Sequence, residues 1–471
     1  MDPTTTRTTR ATRPDRQARP AADLPVILPK TGAAPAVPSQ RHTTPLAGKH
    51  VLVVGINYAP EPTGIAPYTT GMTDHLATQA RSVTVLTGVP HYPNWHLDPQ
   101  YRYRLRTREI GRQVGDAFDG VAGIGQHDGL TIRRLRHYVP ARQSALRRAG
   151  YEASFLLNCM TTRVEQRPDL VVAVTPALGG AVAAAQVAQR TGAPLIVVVQ
   201  DLMAKAATQS GISGGGGKVS AATAAIERYA LRRADLVAVV SDAFRDQVRA
   251  YGVPDERIRL LPNWTHIHAS GLSQADARDA LGWPQRPFTV VHTGNIGLKQ
   301  DLGNLVEAAR ICAERDAGVR FVIIGDGSQR AAIQAQARGL ADLEFVDPLD
   351  GVKYPQSLAA ADLLVVNERP GVGDMSLPSK LTSYLTAGRA VIAAVGDDGA
   401  TAAELRRTNG AAHLVAPGDP AALAEGVLAL RARPGQCREM GLLGRVYAEA
   451  NLGREAAAGR LDALIEECLH G

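Results

Sequence analysis

The stretch ADLLVVNERPGVGDMSLPSKLTSYLTAGRAVIAAV, residues 361–395, decides the fold class. Its apolar runs at 362–366 and 390–395 have the length and composition of buried strands, and the segment 379–387 between them has the pattern of a helix. Gly and Pro interrupt the charged loop before this helix. The stretch therefore predicts a β-loop-α-β unit of a parallel sheet, in which such loops lie at the carboxyl ends of strands and bind ligands. Ser379 is placed to cap the helix, whose free N–H groups attract anions.

Strand-like runs alternate with helical segments on both sides of this stretch. One set extends from VLVV at 51–54 to RIRLLPN at 257–263, and a second set begins with FTVVHTGN at 288–295. This alternation predicts an α/β fold of two tandem Rossmann-like domains with parallel sheets facing a central cleft, joined by a linker at 264–287. The predicted limits are 1–48 for a disordered tail, 49–270 for the N-terminal domain, 271–452 for the C-terminal domain and 453–471 for a C-terminal helix.

Charge and cysteine content argue against several classes of protein. The net charge is +7, but residues 1–49 hold eight Lys/Arg against three Asp/Glu, and residues 101–148 hold eleven Arg against four Asp/Glu. The rest of the chain is therefore acidic overall, and we predict no nucleic-acid partner. The four cysteines are far apart without a CxxC pair, so we predict neither a disulfide framework nor a metal site, in a reducing cytoplasm. The first twenty residues lack the apolar core of a signal peptide.

The loop in HTGNIGLKQDLGNLVEAAR, residues 292–310, is a candidate anion site. A predicted strand ends at Gly294, and Lys299 lies at the start of an amphipathic helix. A positive charge and free N–H groups directed to one place suit a diphosphate, although an exposed surface lysine is the alternative. The segment FVIIGDG at 321–327 is a similar strand followed by a Gly turn, which by itself is a weak signal.

Carboxylates also follow predicted strands. Asp201 comes directly after LIVVVQ, at the carboxyl end of a strand, and is therefore a candidate active-site group. In the loop before residue 379, the residues Glu368, Arg369 and Asp374 are either solvated charges or groups that line the cleft together with Lys380.

The segment 133–155, RRLRHYVPARQSALRRAGYEASF, which overlaps the arginine-rich stretch 101–148, interleaves Arg with Tyr and aliphatic residues. One interpretation is a surface element that contacts anionic lipid head groups through arginines and the interface through apolar side chains. The other is a solvated helix face followed by a helix of the core.

Several stretches between residues 51 and 400 carry a family resemblance. They are, in order, GINYAPEPTGIAPYTTGM, TVLTGVPHYPNW, VVSDAFRDQV, LLPNW, HTGNIGLKQDL, FVIIGDGSQR and LPSKLTSYLTAGRAVIA. Through them the chain resembles the family 4 glycosyltransferases, which have the GT-B fold, and within that family the colanic-acid and exopolysaccharide branch. Residues 1–49 and the insert near 111–129 lie outside the resemblance.

The resemblance implies an activity and a location. The chain would be a retaining hexosyltransferase that moves a hexose-type sugar from a UDP- or GDP-linked donor to a lipid-linked glycan acceptor, in the synthesis of cell-surface polysaccharide or exopolysaccharide. It would require no metal or other cofactor. The donor would bind the C-terminal domain and the acceptor the N-terminal domain. The protein would be cytoplasmic and peripheral on the inner face of the plasma membrane, in contact with its anionic surface through the Arg-rich segment 101–148.

The resemblance also assigns site residues. The catalytic residues would be Asp201, Lys299 and Lys380. The donor-binding residues would be Gly64, Gly294, Asn295, Lys299, Gly325, Asp374, Met375, Ser379, Lys380 and Ser383. The acceptor-side residues would be Tyr68, His91 and Trp95. Asn295 replaces an arginine common among relatives, and Met375 and Ser383 replace two glutamates, so ribose and sugar contacts are expected to differ from those of the relatives.

Two other functions remain compatible with the sequence. A nucleotide-sugar epimerase can use the same two-domain fold, and it needs no acceptor. A non-catalytic scaffold that binds a nucleotide sugar or a membrane is compatible with the absent pair of glutamates.

Overall fold

A computed structural model describes residues 45–61, 64–92, 95–110, 129–141, 144–203, 216–265, 267–315, 318–371 and 379–470. The predictions for the tail at 1–44, for the insert at 111–128 and for the loop residues Asp374 and Met375 lie outside these described residues.

Two β-sheets organise the described part of the chain. The first has eight strands in the order β3-β4-β2-β1-β5-β6-β7-β8, and the second has six in the order β11-β10-β9-β12-β13-β14. The strands of the first sheet are β1 (His50–Val54), β2 (Ser82–Gly88), β3 (Arg106–Ile110), β4 (Leu130–Leu135), β5 (Leu170–Val174), β6 (Leu195–Val199), β7 (Leu236–Val239) and β8 (Ile258–Leu260). Those of the second are β9 (Phe288–Thr293), β10 (Val319–Ile324), β11 (Leu343–Val346), β12 (Leu363–Asn367), β13 (Ala390–Ala394) and β14 (Ala412–Val415).

Helices cover both faces of each sheet, which explains why the central strands are apolar along their whole length. Every residue of β1, β5, β6, β12 and β13 is buried. The helices are α1 (Ala66–Gln79), α2 (Ala145–Thr161), α3 (Leu178–Thr191), α4 (Gly216–Arg232), α5 (Arg245–Ala250), α6 (Gln274–Leu281), α7 (Leu302–Glu314), α8 (Arg330–Gln336), α9 (Lys353–Ala360), α10 (Ser379–Ala387), α11 (Ala400–Arg407), α12 (Pro420–Arg431), α13 (Pro434–Asn451) and α14 (Arg454–His470). None of the described helices is long and apolar enough to cross a membrane.

The β-loop-α-β unit predicted at 361–395 is confirmed. Strand β12 begins and ends one residue later than predicted, helix α10 has the predicted bounds, and β13 ends one residue earlier. Strands β12 and β13 are parallel, with Leu363 paired to Ala390 and Asn367 to Ala394. The loop between β12 and α10 therefore leaves the carboxyl edge of the second sheet, as the sequence predicted.

The last helix, α14, packs against the first sheet. Its residues Leu461, Leu464 and Ile465 are buried in the same apolar cluster as Val53 and Val85 of strands β1 and β2. On the same helix, Asp462 accepts a hydrogen bond from Gln79 of α1 at 2.9 Å. The domain limits drawn at 270 and 452 stay predictions.

Two local features of the structure were not predicted from the sequence. The segment 264–287, predicted as a linker, contains helix α6, whose buried Arg278 forms an ion pair of 2.6 Å with Asp362. The Arg-rich segment contains an antiparallel pair of strands, β3 and β4, within which Arg134 is buried. Its guanidinium donates to Glu109 at 2.7 Å and to the carbonyl of Ala59 at 2.7 Å. One arginine that was expected at the surface is therefore buried in a structural ion pair.

Candidate functional site

Glycine residues allow two loops at the carboxyl edge of the second sheet to pack backbone against backbone. Gly294 follows β9 and Gly325 follows β10; both have positive φ, +110° and +143°. A Cβ atom on Gly325 would lie 1.9 Å from the carbonyl oxygen of Gly294, so no other residue fits there. The Gly294 N–H donates to the backbone carbonyl of Ile324 at 2.8 Å, and the Ile296 N–H donates to the backbone carbonyl of Asp326 at 2.9 Å. Gly294 and Asn295 remain exposed at this edge.

Lys380 is held at the same edge by residues from β9 and from the end of β12. Its Nζ lies 3.0 Å from Nε2 of His292, which is fully buried on β9. Burial lowers the pKa of Lys380 to about 7, although the nearby Glu368 carboxylate acts in the opposite direction. A Cβ atom on Gly294 would lie 3.4 Å from Nζ, so this glycine leaves the ammonium group accessible from the loop.

His292 and Glu368 are themselves held by hydrogen bonds. The Nδ1–H of His292 donates to the carbonyl of Val365 at 3.2 Å, so Nε2 is left as an acceptor for Lys380. Burial and the charge of Lys380 lower the pKa of His292 well below its usual value. Glu368 accepts a hydrogen bond of 2.6 Å from Thr401, and burial raises the pKa of its carboxyl group.

Lys299 and Asp201 come from different sheets but act on each other electrostatically. Lys299 is exposed in the loop between β9 and α7, where its carbonyl accepts a hydrogen bond of 2.8 Å from the N–H of Arg369. Asp201 follows β6, and its Oδ1 accepts a hydrogen bond of 2.8 Å from the N–H of Leu202. Burial raises the pKa of Asp201, while the charge of Lys299 acts to lower it. The charges of the two groups therefore interact although they belong to different sheets.

A buried glutamate organises the loops at the carboxyl edge of the first sheet. One Glu61 oxygen accepts the N–H groups of His91 and Tyr92 at 2.8 and 2.9 Å, and the other accepts from Asn57 at 2.7 Å. Gly64 has φ +69°, and a Cβ atom there would lie 3.0 Å from the Tyr92 ring. Through these hydrogen bonds Glu61 fixes the backbone of His91, a predicted acceptor-side residue.

His91 and Trp95 belong to a group of packed rings. The His91 Nδ1–H donates to the carbonyl of Val89 at 2.9 Å, which leaves Nε2 to accept from the Tyr151 hydroxyl at 3.1 Å. Burial lowers the pKa of His91. The Trp95 ring lies 5.6 Å from both His91 and Tyr151, and the Arg148 guanidinium lies 4.6 Å from the centre of the Tyr151 ring. We refer to His91, Trp95, His137, Tyr151 and Arg148 as the aromatic cluster.

The other predicted residues differ in exposure: Tyr68 and Ser383 are buried, whereas Ser379 is exposed. Tyr68 is buried on α1 with its ring 5.4 Å from that of Trp264. Ser383 is buried on α10. Ser379 is exposed as the first residue of α10.

Sequence reasoning missed His292, although a signal was present. Residues two apart on an extended segment share a face, so the spacing of His292 and Gly294 at the end of β9 indicates that both lie on the same side of the chain. Glu61 lay within a quoted motif, but no pattern in the sequence indicated that it binds three donors.

Comparison with known proteins decides the family. Residues 63–264 match the model of the glycosyl transferase 4-like domain, and residues 287–433 match that of the glycosyl transferases group 1. The chain is also 33% identical over 356 residues to WcaI of Escherichia coli (strain K12), described as a colanic acid biosynthesis glycosyl transferase, and the match covers 73% of this chain and 83% of WcaI. The chain belongs to the family 4 glycosyltransferases. The predicted family and enzyme class are therefore confirmed.

Solved structures show the fold of this glycosyltransferase. HepE from Anabaena in complex with UDP superposes with a TM-score of 0.62 at 15% identity, over 89% of this chain and 100% of HepE. Sucrose-phosphate synthase from Thermosynechococcus elongatus superposes with a TM-score of 0.62 at 19% identity, over 89% and 98% of the two chains. The predicted GT-B fold, two tandem Rossmann-like domains with parallel sheets facing a central cleft, is confirmed.

Proposed function

We propose that this glycosyltransferase transfers a hexose-type sugar, with retention of configuration, from a UDP- or GDP-linked donor to a lipid-linked glycan acceptor in exopolysaccharide or other cell-surface glycan synthesis. The observation that carries the proposal is the electrostatic interaction between Lys299 of the second sheet and Asp201 of the first, and we place Lys380, at the same edge as Lys299, in the same site. The relatives agree with it, because WcaI is described as a colanic acid biosynthesis enzyme and HepE binds UDP.

The donor diphosphate is proposed to bind the loops after β9 and β10. Gly294, Asn295 and Gly325 present backbone to the ligand, while Lys299 and Lys380 provide positive charge. A leaving nucleoside diphosphate gains negative charge as the glycosidic bond breaks, and fixed cations stabilise that charge without reorganisation. No metal ion or other cofactor is required in this proposal. Ser379, at the start of α10, would add its exposed N-terminal turn to the same site.

The sugar would lie between the donor loops and Asp201. The anomeric carbon becomes oxocarbenium-like as the diphosphate departs, and a carboxylate near it stabilises that positive charge. Asp201 is half-buried, so its charge is less screened by water than that of a surface group. Closure of the two domains would exclude water that otherwise hydrolyses the donor.

The acceptor is proposed to bind the first sheet near Tyr68, His91 and Trp95. Aromatic rings and neutral histidines suit the apolar faces and hydroxyl groups of a sugar. His91 has both nitrogens engaged within the protein, so we propose that it shapes the loop and that the half-buried Trp95 makes the contact.

A membrane-contacting surface is proposed beside this acceptor site. Large apolar side chains are exposed on β3 and α2 and in the turn before β3: Tyr103 is 87% exposed, Leu105 70% and Leu146 83%. Tyr103 and Leu105 alternate along the chain with exposed arginines at positions 102, 104 and 106, and Arg108 is also exposed, a combination that suits an anionic lipid surface. The protein would thus act at the inner face of the plasma membrane. Leu105→Asp should reduce sedimentation with anionic vesicles, and vesicle binding that is unchanged by this variant or by salt would contradict this part.

The test of the main proposal is a donor screen followed by product analysis. UDP- and GDP-linked hexoses are compared by thermal shift, since a ligand that binds only the folded state raises its stability. The stabilising donor is then incubated with short lipid-linked glycans, and nucleotide release and anomeric configuration are measured by nuclear magnetic resonance. Acceptor-dependent release with retention supports the proposal. Interconversion of nucleotide sugars without release would identify an epimerase, and tight binding without turnover a scaffold.

A further inference from the structure

Lys380 differs from Lys299 in the surroundings of its ammonium group. Lys299 is exposed to water, whereas Lys380 is only partly exposed, with its Nζ 3.0 Å from Nε2 of the buried His292 and within the electrostatic influence of Glu368. A protein interior disfavours a charged amine unless partners replace its water. The identity and charge of those partners therefore decide the protonation state of Lys380.

The partner in direct contact is neutral. His292 donates through Nδ1 to the carbonyl of Val365, so only the lone pair of Nε2 faces Lys380. Because burial and Lys380 itself lower the pKa of His292, the ring gains no second proton in the neutral pH range. A lone pair accepts a hydrogen bond from the ammonium group but does not cancel its charge.

The carboxylate nearby compensates the charge only in part. Glu368 is directed to the Thr401 hydroxyl through one oxygen, and its other oxygen is buried without a hydrogen-bond partner among the described residues. Among the described residues, the phenols of Tyr354 and Tyr384 are further titratable groups at α10, both engaged with Thr293, and Arg445 binds the far end of the helix at the carbonyl of Ala387. Burial raises the pKa of both phenols, so they stay protonated.

We propose that binding of a nucleoside diphosphate in this cleft is coupled to uptake of one proton by Lys380, and that His292 is the positioning residue which holds Nζ beside Gly294 for that purpose. This inference rests on the proposed function of the cleft. The proton comes from solvent and forms the third N–H bond of the ammonium group, which then faces the anionic diphosphate. No covalent bond of the ligand changes in this step.

The direction of the proton exchange on binding follows from the pKa of Lys380, which is about 7 in the free protein. A dianion placed beside Nζ favours the ammonium form and raises that pKa. At pH 8 the free side chain is mostly a neutral amine, so binding takes up about 0.9 proton, and at pH 7 it takes up about 0.5. The terminal phosphate of UDP, with a second pKa near 6, is largely ionised at both pH values and contributes little.

Calorimetry in several buffers measures this uptake directly. UDP is titrated into the full-length protein at pH 7.0 and 8.0 in MOPS, HEPES and Tris, which differ in ionisation enthalpy. The slope of the observed enthalpy against the buffer enthalpy gives the number of protons. We expect a larger slope at pH 8.0 than at pH 7.0. Lys380→Met should abolish the slope, and Lys353→Met, which removes an exposed lysine of α9, should leave it unchanged.

Variants of His292 separate positioning from packing. His292→Phe keeps a ring but removes the acceptor, which lowers the pKa of Lys380 and should weaken UDP binding about tenfold while raising the proton uptake at pH 7.0 towards one. His292→Gln supplies an acceptor again and should restore part of the affinity and reduce the uptake. A purely structural residue would change affinity without changing the proton count. Thermal unfolding of each variant identifies those that fail to fold.

The outcomes distinguish this inference from the proposed function. UDP binding with equal enthalpies in all three buffers, or proton uptake that persists in Lys380→Met, would overturn the coupling and leave the donor site standing. If UDP does not bind, GDP takes its place in the same titrations. Absence of binding by both nucleotides would overturn the proposed function and this inference together.

Discussion

The carboxyl edges of the two sheets are built in different ways. At the first sheet, side chains hold the loops: Glu61 binds three N–H donors, and the rings of the aromatic cluster pack on one another. At the second sheet, the loops contact through bare backbone at Gly294 and Gly325, and charge comes from two lysines. A backbone contact tolerates no added atom, whereas a hydrogen-bonded side chain can be replaced at a moderate cost. The effects of substitutions at the two edges should therefore differ in magnitude and in the substrate whose binding they weaken.

The largest effect is expected at the backbone contact. Gly325→Ala places a methyl group against the Gly294 carbonyl at a backbone φ of +143°, and should lower the free energy of unfolding by about 3 kcal/mol and abolish UDP binding. Chemical denaturation and calorimetry measure the two results. The control is Gly351→Ala, because a Cβ atom at Gly351 would meet nothing within 4 Å. A Gly325→Ala protein as stable as the parent would show that the two loops are not fixed against each other.

A smaller effect is expected for the exposed lysine of the second sheet. Lys299→Ala removes one charge-assisted contact with a diphosphate and should weaken UDP binding by about ten- to a hundredfold without changing stability. Lys353→Ala, at an exposed lysine of the same domain, is the matched control for a general loss of charge. Equal affinities of the parent and Lys299→Ala in calorimetry would remove Lys299 from the donor site.

Substitutions at the carboxyl edge of the first sheet, where side chains hold the loops, should change binding of the glycan acceptor. Glu61→Gln replaces one acceptor oxygen with an NH2 group and should cost about 1–2 kcal/mol of stability. Because Glu61 carries the backbone of His91 and Tyr92, the KM for the glycan acceptor should rise several-fold while UDP affinity is retained. Steady-state kinetics with either substrate varied separates the two effects. A change in UDP affinity alone would reverse the assignment of the two edges.

The effect that is smallest at neutral pH concerns the aromatic cluster, whose contribution to stability depends on pH. Burial lowers the pKa of His137 to about 3, so the unfolded chain binds a proton below pH 6.5 that the folded protein does not. The fold is therefore destabilised as pH falls from 6.5 towards 3, by at most about 1.4 kcal/mol per pH unit. In His137→Asn this contribution is absent, so the stability advantage of the parent should shrink between pH 7 and pH 4. A constant difference in unfolding free energy across that range would contradict the shift.

The sequence predicted the second sheet better than the first. Gly and Pro punctuate the unit at 361–395, and its strands are apolar throughout, so helix α10 could be delimited to the residue. Strands β3 and β4 escaped prediction because both carry arginines, as a solvated surface does. In the structure Arg134 is buried and paired with Glu109. Short-range patterns cannot indicate such a long-range ion pair.

The candidate site was predicted as a set of loops, and its internal contacts were not. Lys299, Lys380 and Asp201 were found because each follows a strand. The contact between Lys380 and His292 depends on the register of β9 beside β12 and on the position of α10 above them, which no local pattern fixes. The assignments of Asp374 and Met375 stay predictions, since these residues lie outside the described part of the chain.

The position of α14 has a consequence for biosynthesis. The first sheet leaves the ribosome early, but Leu461, Leu464 and Ile465, which complete one of its apolar layers, are translated only after the entire second sheet. At about 5–20 residues per second, the roughly 200 residues between β8 and α14 take on the order of 10–40 seconds to synthesise. During that interval an apolar groove on the nascent first domain stays uncovered. Chaperone binding to ribosome-bound chains should therefore persist until the last helix emerges.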